Sequence, residues 1–186
     1  QQLILDGLND PFWNIRVLAI GKASKLRDGM KDKGVEMMQA MALNDPSSAV
    51  RVAALNAVSK QLEEEALTGI YENIISKDSS YSVVTAALRN LGKQNPDRAM
   101  KLAEPLESEK SSKMVSGIAQ LYSGFAGDDK FDFFNEALNG TTVQGFDKLG
   151  VLNSMTVYLT RQDIGIVDKA YASYEDLGQN GGFYAK

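Results

Sequence analysis

The 186-residue sequence contains no histidine and no cysteine. Without cysteine the chain has no disulfide, no thiolate metal site and no thiol nucleophile, and without histidine it lacks the usual base of hydrolytic triads. Neither of the glycine-rich phosphate-binding motifs, G-x-G-x-x-G and the P-loop, occurs. Together these absences favour a structural or binding protein over an enzyme.

Excess positive charge and long apolar runs are also missing. Lys and Arg number 20 against 24 Asp and Glu, which gives a net charge of −4. Nucleic-acid binding relies on concentrated Lys and Arg, and spanning a bilayer takes about 20 consecutive apolar residues. We therefore predict no nucleic-acid and no membrane partner, and a soluble protein of either the cytoplasm or the periplasm. The sequence opens at Gln1 without an initiator Met, so we also expect a piece of a longer protein.

What is present is a repeat. Residues 10–20, 45–55 and 78–88 align with one another at spacings of 35 and 33, a period typical of stacked helical arrays. In each copy the apolar positions fall at i, i+3, i+4, i+5 and i+8, which is one broad helix face. The aligned columns are Ile15/Val50/Val83, Leu18/Ala53/Ala86, Ala19/Ala54/Ala87, Ile20/Leu55/Leu88 and Ala23/Val58/Leu91. Because a lone copy would leave this face in water, the copies are expected to stack.

The pattern predicts an all-α protein, an α-α superhelix (a HEAT- or armadillo-like solenoid) of about ten antiparallel helices. We predict a single domain over residues 1–186. Its repeats cover about 1–43, 44–76, 77–107 and 108–138, with degenerate helices over 141–178. One of these later helices is expected to run from Thr142 to about Arg161 and to carry Val143, Phe146, Leu149 and Leu159. The last is expected to cover Asp163 to Leu177, with Val167, Ala170, Tyr171 and Tyr174 inward and Gly178 as its stop.

An aspartate opens each of the three clearest copies. Its carboxylate is suited to cap the helix that follows, and the proline after the first two is suited to position N1. An arginine lies six residues after each of the first two aspartates, where it either reaches the aspartate of an adjacent repeat or is simply solvated; the third copy has valine there. The structural residues predicted as caps and as this inter-repeat ladder are Asp10, Arg16, Asp45, Arg51 and Asp78.

No catalytic, cofactor-binding or metal-binding residue is predicted. The acidic runs at residues 63–65 and 128–129 are best interpreted as solvent-facing starts of helices. Phe12 and Trp13, at the start of a predicted helix, either plug against a neighbouring layer or contact a partner.

Residues 45–54 resemble a HEAT repeat. More specifically, residues 8–20 and 78–91 resemble segments of the C-terminal helical region of M1-family zinc aminopeptidases, especially bacterial ones, and residues 131–161 are similar to its later helices. In that family the zinc ligands, a His-Glu-x-x-His helix and a downstream Glu, lie in a separate preceding domain, and no counterpart exists in this chain.

The resemblance implies a non-catalytic helical domain that packs in cis on the parent's zinc-containing catalytic domain and shapes peptide access. It implies no cofactor in this chain and, as partners, the parent catalytic domain together with peptide substrate. The alternative is an autonomous HEAT-like scaffold that binds a protein or peptide on its concave face.

Overall fold

The computed structural model describes residues 1–180, with the side chains of residues 1–172. These described residues form eleven α-helices and no strand, which confirms the predicted all-α class with eleven helices in place of about ten. The helices are α1 Gln2–Leu8, α2 Trp13–Lys22, α3 Gly29–Asn44, α4 Ser48–Val58, α5 Glu64–Lys77, α6 Tyr81–Gln94, α7 Pro96–Ala103, α8 Ser112–Phe125, α9 Phe131–Asn139, α10 Gly145–Leu159 and α11 Ile164–Asn180. Three 3₁₀ turns accompany them at Ala23–Lys25, Glu104–Leu106 and Asp128–Lys130.

The chain divides into two compact units, Gln1–Gln94 and Asn95–Lys186, the second described to residue 180. In the first unit α1 packs on α2, α3 on α4 and α5 on α6, so each repeat contributes a helix pair. These pairs stack because α2 also packs on α4, and α4 on α6. The single domain over residues 1–186 stays a prediction.

The repeated apolar face explains why the first unit stacks. In the second and third repeats the side chains of Val50, Leu55, Val83 and Leu88 are completely buried. Alanines of the all-alanine column are buried as well, which lets neighbouring helices approach closely. At Gly7, a Cβ atom would lie 3.0 Å from the Cβ of Ala19, so α1 and α2 meet where only glycine fits comfortably.

The second unit is built around α8 and α10, which pack on each other. The apolar stripe predicted for a fourth, weaker repeat is buried on α8, where Ile118 and Ala119 are fully inaccessible. Beside it lies an aromatic core in which the rings of Phe134 and Tyr158 are 4.8 Å apart between centroids. Aromatic burial of this kind takes over where the repeat pattern of the first unit fades.

The apolar positions predicted for the last two helices are confirmed only in part, since Val143 and Ala170 are buried but Phe146, Leu149 and Tyr171 are exposed. Phe146 is 82% exposed because α10 buries Val151, Met155 and Tyr158, a different face of the helix. Gly145, with a φ of 57°, starts α10 three residues later than predicted.

The rest of the predicted set divides between buried and exposed positions. On α11 the predicted inward position of Ala170 is confirmed, because its side chain is 1% exposed, but the neighbouring Tyr171 is 74% exposed. On α10 Leu149 is 40% exposed. Tyr174 lies outside the residues whose side chains are described. The helix does not end at Gly178 but continues to Asn180.

If burial between layers stabilises the first unit, truncating a buried leucine should cost more stability than truncating an exposed one. Leu55→Ala opens a cavity between layers and should lower the free energy of unfolding by about 2–5 kcal/mol. Leu18→Ala, at a position 61% exposed on α2, should change it by no more than about 0.5 kcal/mol. Urea denaturation followed by circular dichroism measures both, and equal losses at the two positions would contradict layered burial.

Candidate functional site

The three repeat aspartates all make the same local turn. In each, a carboxylate oxygen accepts a hydrogen bond from the backbone N–H two residues further on, which is an Asx turn. The bonds are Phe12 N to Asp10 Oδ1 at 2.8 Å, Ser47 N to Asp45 Oδ1 at 2.9 Å, and Ser80 N to Asp78 Oδ1 at 2.8 Å. The repeat is therefore built on an aspartate-fixed turn that leads into each helix.

This geometry corrects the predicted capping role of Asp10, Asp45 and Asp78. The helices α2 and α4 begin at Trp13 and Ser48, with the extended residues before them as N-caps. The aspartates thus lie two residues before the N-cap position, and the prolines one residue before it rather than at N1. The same Asp-Pro pair suits both arrangements, because a proline φ and an aspartate acceptor serve a turn as well as a helix start.

Arg16 and Arg51 link each repeat to the next. Arg16 donates from Nε and Nη2 to the two carboxylate oxygens of Asp45, at 2.8 Å each. Arg51 makes the same pair of bonds to Asp78, at 2.7 and 2.8 Å. All four side chains are 12% exposed or less. Of the two interpretations left open by the sequence, the structure contains the ladder.

Each arginine also binds its own repeat. The third guanidinium nitrogen, Nη1, donates at 2.8 Å to the backbone carbonyl of the repeat's own aspartate, Asp10 for Arg16 and Asp45 for Arg51. The hydrogen bond to Asp45 raises the pKa of the Arg16 guanidinium above its ordinary value. One planar fork therefore holds the turn of its own repeat and the carboxylate of the next, a task that suits arginine better than lysine.

The ladder ends at the third repeat. Val84 takes the place of the next arginine and is buried, 3% exposed. The second contact of each arginine, to a carbonyl of its own repeat, was not predicted. The constant six-residue spacing between aspartate and arginine was the signal that could have suggested it.

In the second unit a polar cluster forms that the sequence did not predict. The Tyr122 hydroxyl donates to a carboxylate oxygen of Glu107, and the ammonium of Lys130 lies 3.1 Å from Glu107 and 3.4 Å from Glu104. The same ammonium lies 5.1 Å from the centre of the Tyr122 ring, within the range of a cation–π contact. The hydrogen-bonded pairs of this cluster are 15 to 26 residues apart in the chain and follow no repeat pattern.

The electrostatics of this cluster suit a structural role. Burial raises the pKa of Tyr122, and the bond to Glu107 raises it further, so the hydroxyl stays protonated. Burial lowers the pKa of Lys130, but Glu107 and Glu104 outweigh it and leave the pKa above its usual value. A protonated phenol and a charged ammonium are poor nucleophiles at neutral pH. The cluster therefore fastens the turn after α7 to α8 and to the turn before α9.

An open groove crosses the first unit between α2 and α4, with a volume of about 800 Å³. Its floor is apolar, formed by Val17, Ile20, Ala53 and their neighbours. Its charged lining residues are Arg27, Lys31 and Lys60, and no acidic side chain lines it. A basic rim over an apolar floor is suited to an extended ligand that carries negative charge.

The remaining predicted features lie on the surface. Phe12 and Trp13 are 55% and 42% exposed, their ring centroids 6.3 Å apart, so they do not plug a neighbouring layer. Residues 63–65 and 128–129 are exposed, as expected for acidic helix starts.

The described residues were also compared with the requirements of a metal site and of a membrane span. In the part of the chain that the structure describes, no three side chains of the His, Cys, Asp or Glu types are grouped to hold a metal ion. Within the same residues no helix is both long and apolar enough to cross a membrane. Comparison with protein-family models and with curated protein sequences finds no match to the chain.

The ladder makes a prediction about Arg51. Replacement by lysine keeps the charge but loses the two-pronged fork, and should lower the free energy of unfolding by about 1–3 kcal/mol. In a double-mutant cycle with Asp78→Asn, which keeps an acceptor for the Asx turn, we expect a coupling of about 0.5–3 kcal/mol. The control is Arg89→Lys at an exposed position of α6. Equal effects at positions 51 and 89 would contradict the ladder.

The buried tyrosines predict how stability depends on alkaline pH. Burial raises the pKa of Tyr158 to about 12, and the carboxylates of Asp129 and Asp128 contribute. Since an unfolded tyrosine has a pKa near 10, Tyr158 contributes stability below pH ~10 that is lost as the pH rises towards ~12. Tyr158→Phe should make the alkaline loss shallower, and Tyr171→Phe, an exposed control, should not. Denaturation from pH 8 to 12 measures this, and identical profiles for all three proteins would refute it.

Proposed function

We propose that the chain is the non-catalytic helical-repeat domain of an M1-type zinc aminopeptidase, packed on the catalytic domain and limiting which peptides enter. The resemblance of residues 8–20 and 78–91 to that family's helical region supports the proposal. The absence of histidine from the whole chain means that it does not itself carry the His-Glu-x-x-His motif. Zinc and its chemistry therefore belong to the parent's other domain.

The observation that carries a docking role is the aromatic pair at the start of α2. Phe12 and Trp13 remain about half exposed although the sequence pattern around them is that of a buried repeat. Exposed aromatic side chains are enriched in the central parts of protein interfaces. A domain docked there contributes to catalysis by excluding water and positioning substrate, without any reactive group of its own.

The first experiment reads the coding sequence upstream of Gln1 in the native gene. The proposal expects an in-frame His-Glu-x-x-His motif followed by a further Glu. An unrelated domain or an immediate start codon would overturn it.

The second experiment uses Trp13, the only tryptophan of the chain, as a reporter of docking. Adding the upstream catalytic domain to the chain should shift tryptophan emission to shorter wavelength, because docking removes the indole from water. Phe12→Glu should weaken the binding measured by calorimetry at least tenfold, whereas Leu149→Glu, at a 40% exposed position of the other unit, should not. Unchanged emission, or equal effects of both substitutions, would argue against docking through this pair.

The groove of the first unit supports a second candidate, a scaffold that binds an acidic peptide. Its three basic side chains and apolar floor favour an extended segment with alternating acidic and apolar residues. Fluorescence anisotropy with a labelled peptide of that pattern tests it. We expect binding that weakens with salt and is lost in Lys31→Glu/Lys60→Glu, while a basic peptide of the same length does not bind. Equal binding of both peptides would reject this candidate.

A further inference from the structure

The outer face of α2 differs from the equivalent faces of the next two repeats. Ile15 is 39% exposed, whereas Val50 and Val83 at the same repeat position are fully buried. Leu18 is 61% exposed, whereas Ala53 is partly buried and Ala86 is 3% exposed. In the second and third repeats, a helix of the preceding repeat packs on this helix, as α2 does on α4 and α4 on α6. The first repeat therefore presents a stacking face on which no helix of the described chain lies in that way.

The first repeat also differs from the next two in the salt bridges of its aspartate. Asp45 and Asp78 each receive the guanidinium fork of the preceding repeat, from Arg16 and Arg51. Asp10 makes the same Asx turn and binds Arg16 through its backbone carbonyl. Among the described residues no side chain forms a salt bridge with its carboxylate, although the charge of Asp10 contributes to the raised pKa of Arg16 in its own repeat. Of the three repeat aspartates, Asp10 is therefore the one whose carboxylate receives no guanidinium fork within the described residues.

We propose that this face, formed by Ile15, Leu18 and the Asp10 carboxylate, binds a further amphipathic helix that carries an arginine for Asp10. The helix α2 shows what the occupant looks like, because α2 occupies the equivalent place over α4. It presents an apolar stripe to the layer below and holds Arg16 where the fork reaches the next aspartate. A helix without a cation at that place would leave the Asp10 carboxylate beside an apolar interface without its partner.

The chain itself indicates the register of this contact. The tetrapeptide Leu-Asn-Asp-Pro occurs at residues 8–11, where α1 leads to α2, and again at 43–46, where α3 leads to α4. At both junctions the same turn follows the first helix of a pair, α1 or α3, and precedes the second. The inference is independent of the peptidase proposal, because a stacking face serves a docked domain and a free-standing array equally well.

The experiment is a tandem duplication of residues 10–44 within the full chain. Because the junction recreates Leu-Asn-Asp-Pro, the added copy enters in the register of the native repeats. In the duplicated protein the first copy of α2 should cover the second, and the first Arg16 should bind the second Asp10. We expect a higher midpoint of urea denaturation than in the original chain, since each added layer buries a further interface.

The decisive measurement is Asp10→Asn, which keeps the acceptor of the Asx turn and removes the charge. In the original chain it should lower the denaturation midpoint only slightly, because Asp10 acts on Arg16 through its charge without a salt bridge. In the second copy of the duplicated protein it should lower the midpoint as much as Asp45→Asn does. An equally small effect of Asp10→Asn in both proteins would overturn the proposal.

A second duplicated protein tests whether the larger Ile15 and Leu18 side chains overpack the added interface. It carries Ile15→Val and Leu18→Ala in the second copy, the residues found at positions 50 and 53. If Asp10→Asn has no larger effect in this protein than in the original chain, the face does not accept an arginine-bearing helix. Concentration-dependent association of the original chain that Leu18→Glu abolishes and Asp10→Asn leaves intact would also contradict the proposal, because the face would then bind apolar surface alone.

Discussion

The first unit depends on one interaction, the guanidinium fork that joins the carboxylate of one repeat to the turn of the repeat before it. Apolar stacking supplies most of the driving force but tolerates sliding, since Val, Ala and Leu side chains pack in several registers. The bonds of Arg16 to Asp45 are directional and have one good geometry. Each fork therefore fixes the register of two layers that the hydrophobic effect brings together.

The same carboxylate explains why the turn and the layer contact are coupled. Asp45 accepts from Ser47 within its own turn and from Arg16 of the preceding repeat, while its carbonyl accepts from Arg51. A substitution at Ser47, Arg16 or Arg51 therefore alters the bonds of the other two, because all three bind Asp45. Where Val84 replaces the arginine, the ladder stops, and the next part of the chain folds as a unit organised around aromatic burial instead.

The two units differ in how far their structure could be predicted from the sequence. The layers of the first unit could be predicted because each copy carries the same apolar columns and the same aspartate. The start of α2 was placed two residues early because Asp10 and its proline suit an N-cap and an Asx turn equally. The second unit could not be predicted in the same way: Tyr122, Glu107 and Lys130 meet through folding alone. The orientation of Phe146 depended on which face of α10 meets α8.

Native-state hydrogen exchange of the three Asx-turn amides measures whether the guanidinium forks fix the turns of the repeats. The N–H groups of Phe12, Ser47 and Ser80 donate to equivalent carboxylates, but an arginine of the preceding repeat holds only the last two. If the forks fix the turns, the amides of Ser47 and Ser80 exchange more slowly than that of Phe12, and Arg51→Lys accelerates exchange at Ser80 while leaving Phe12 unchanged. Equal rates at all three amides, unaffected by that substitution, would contradict the account.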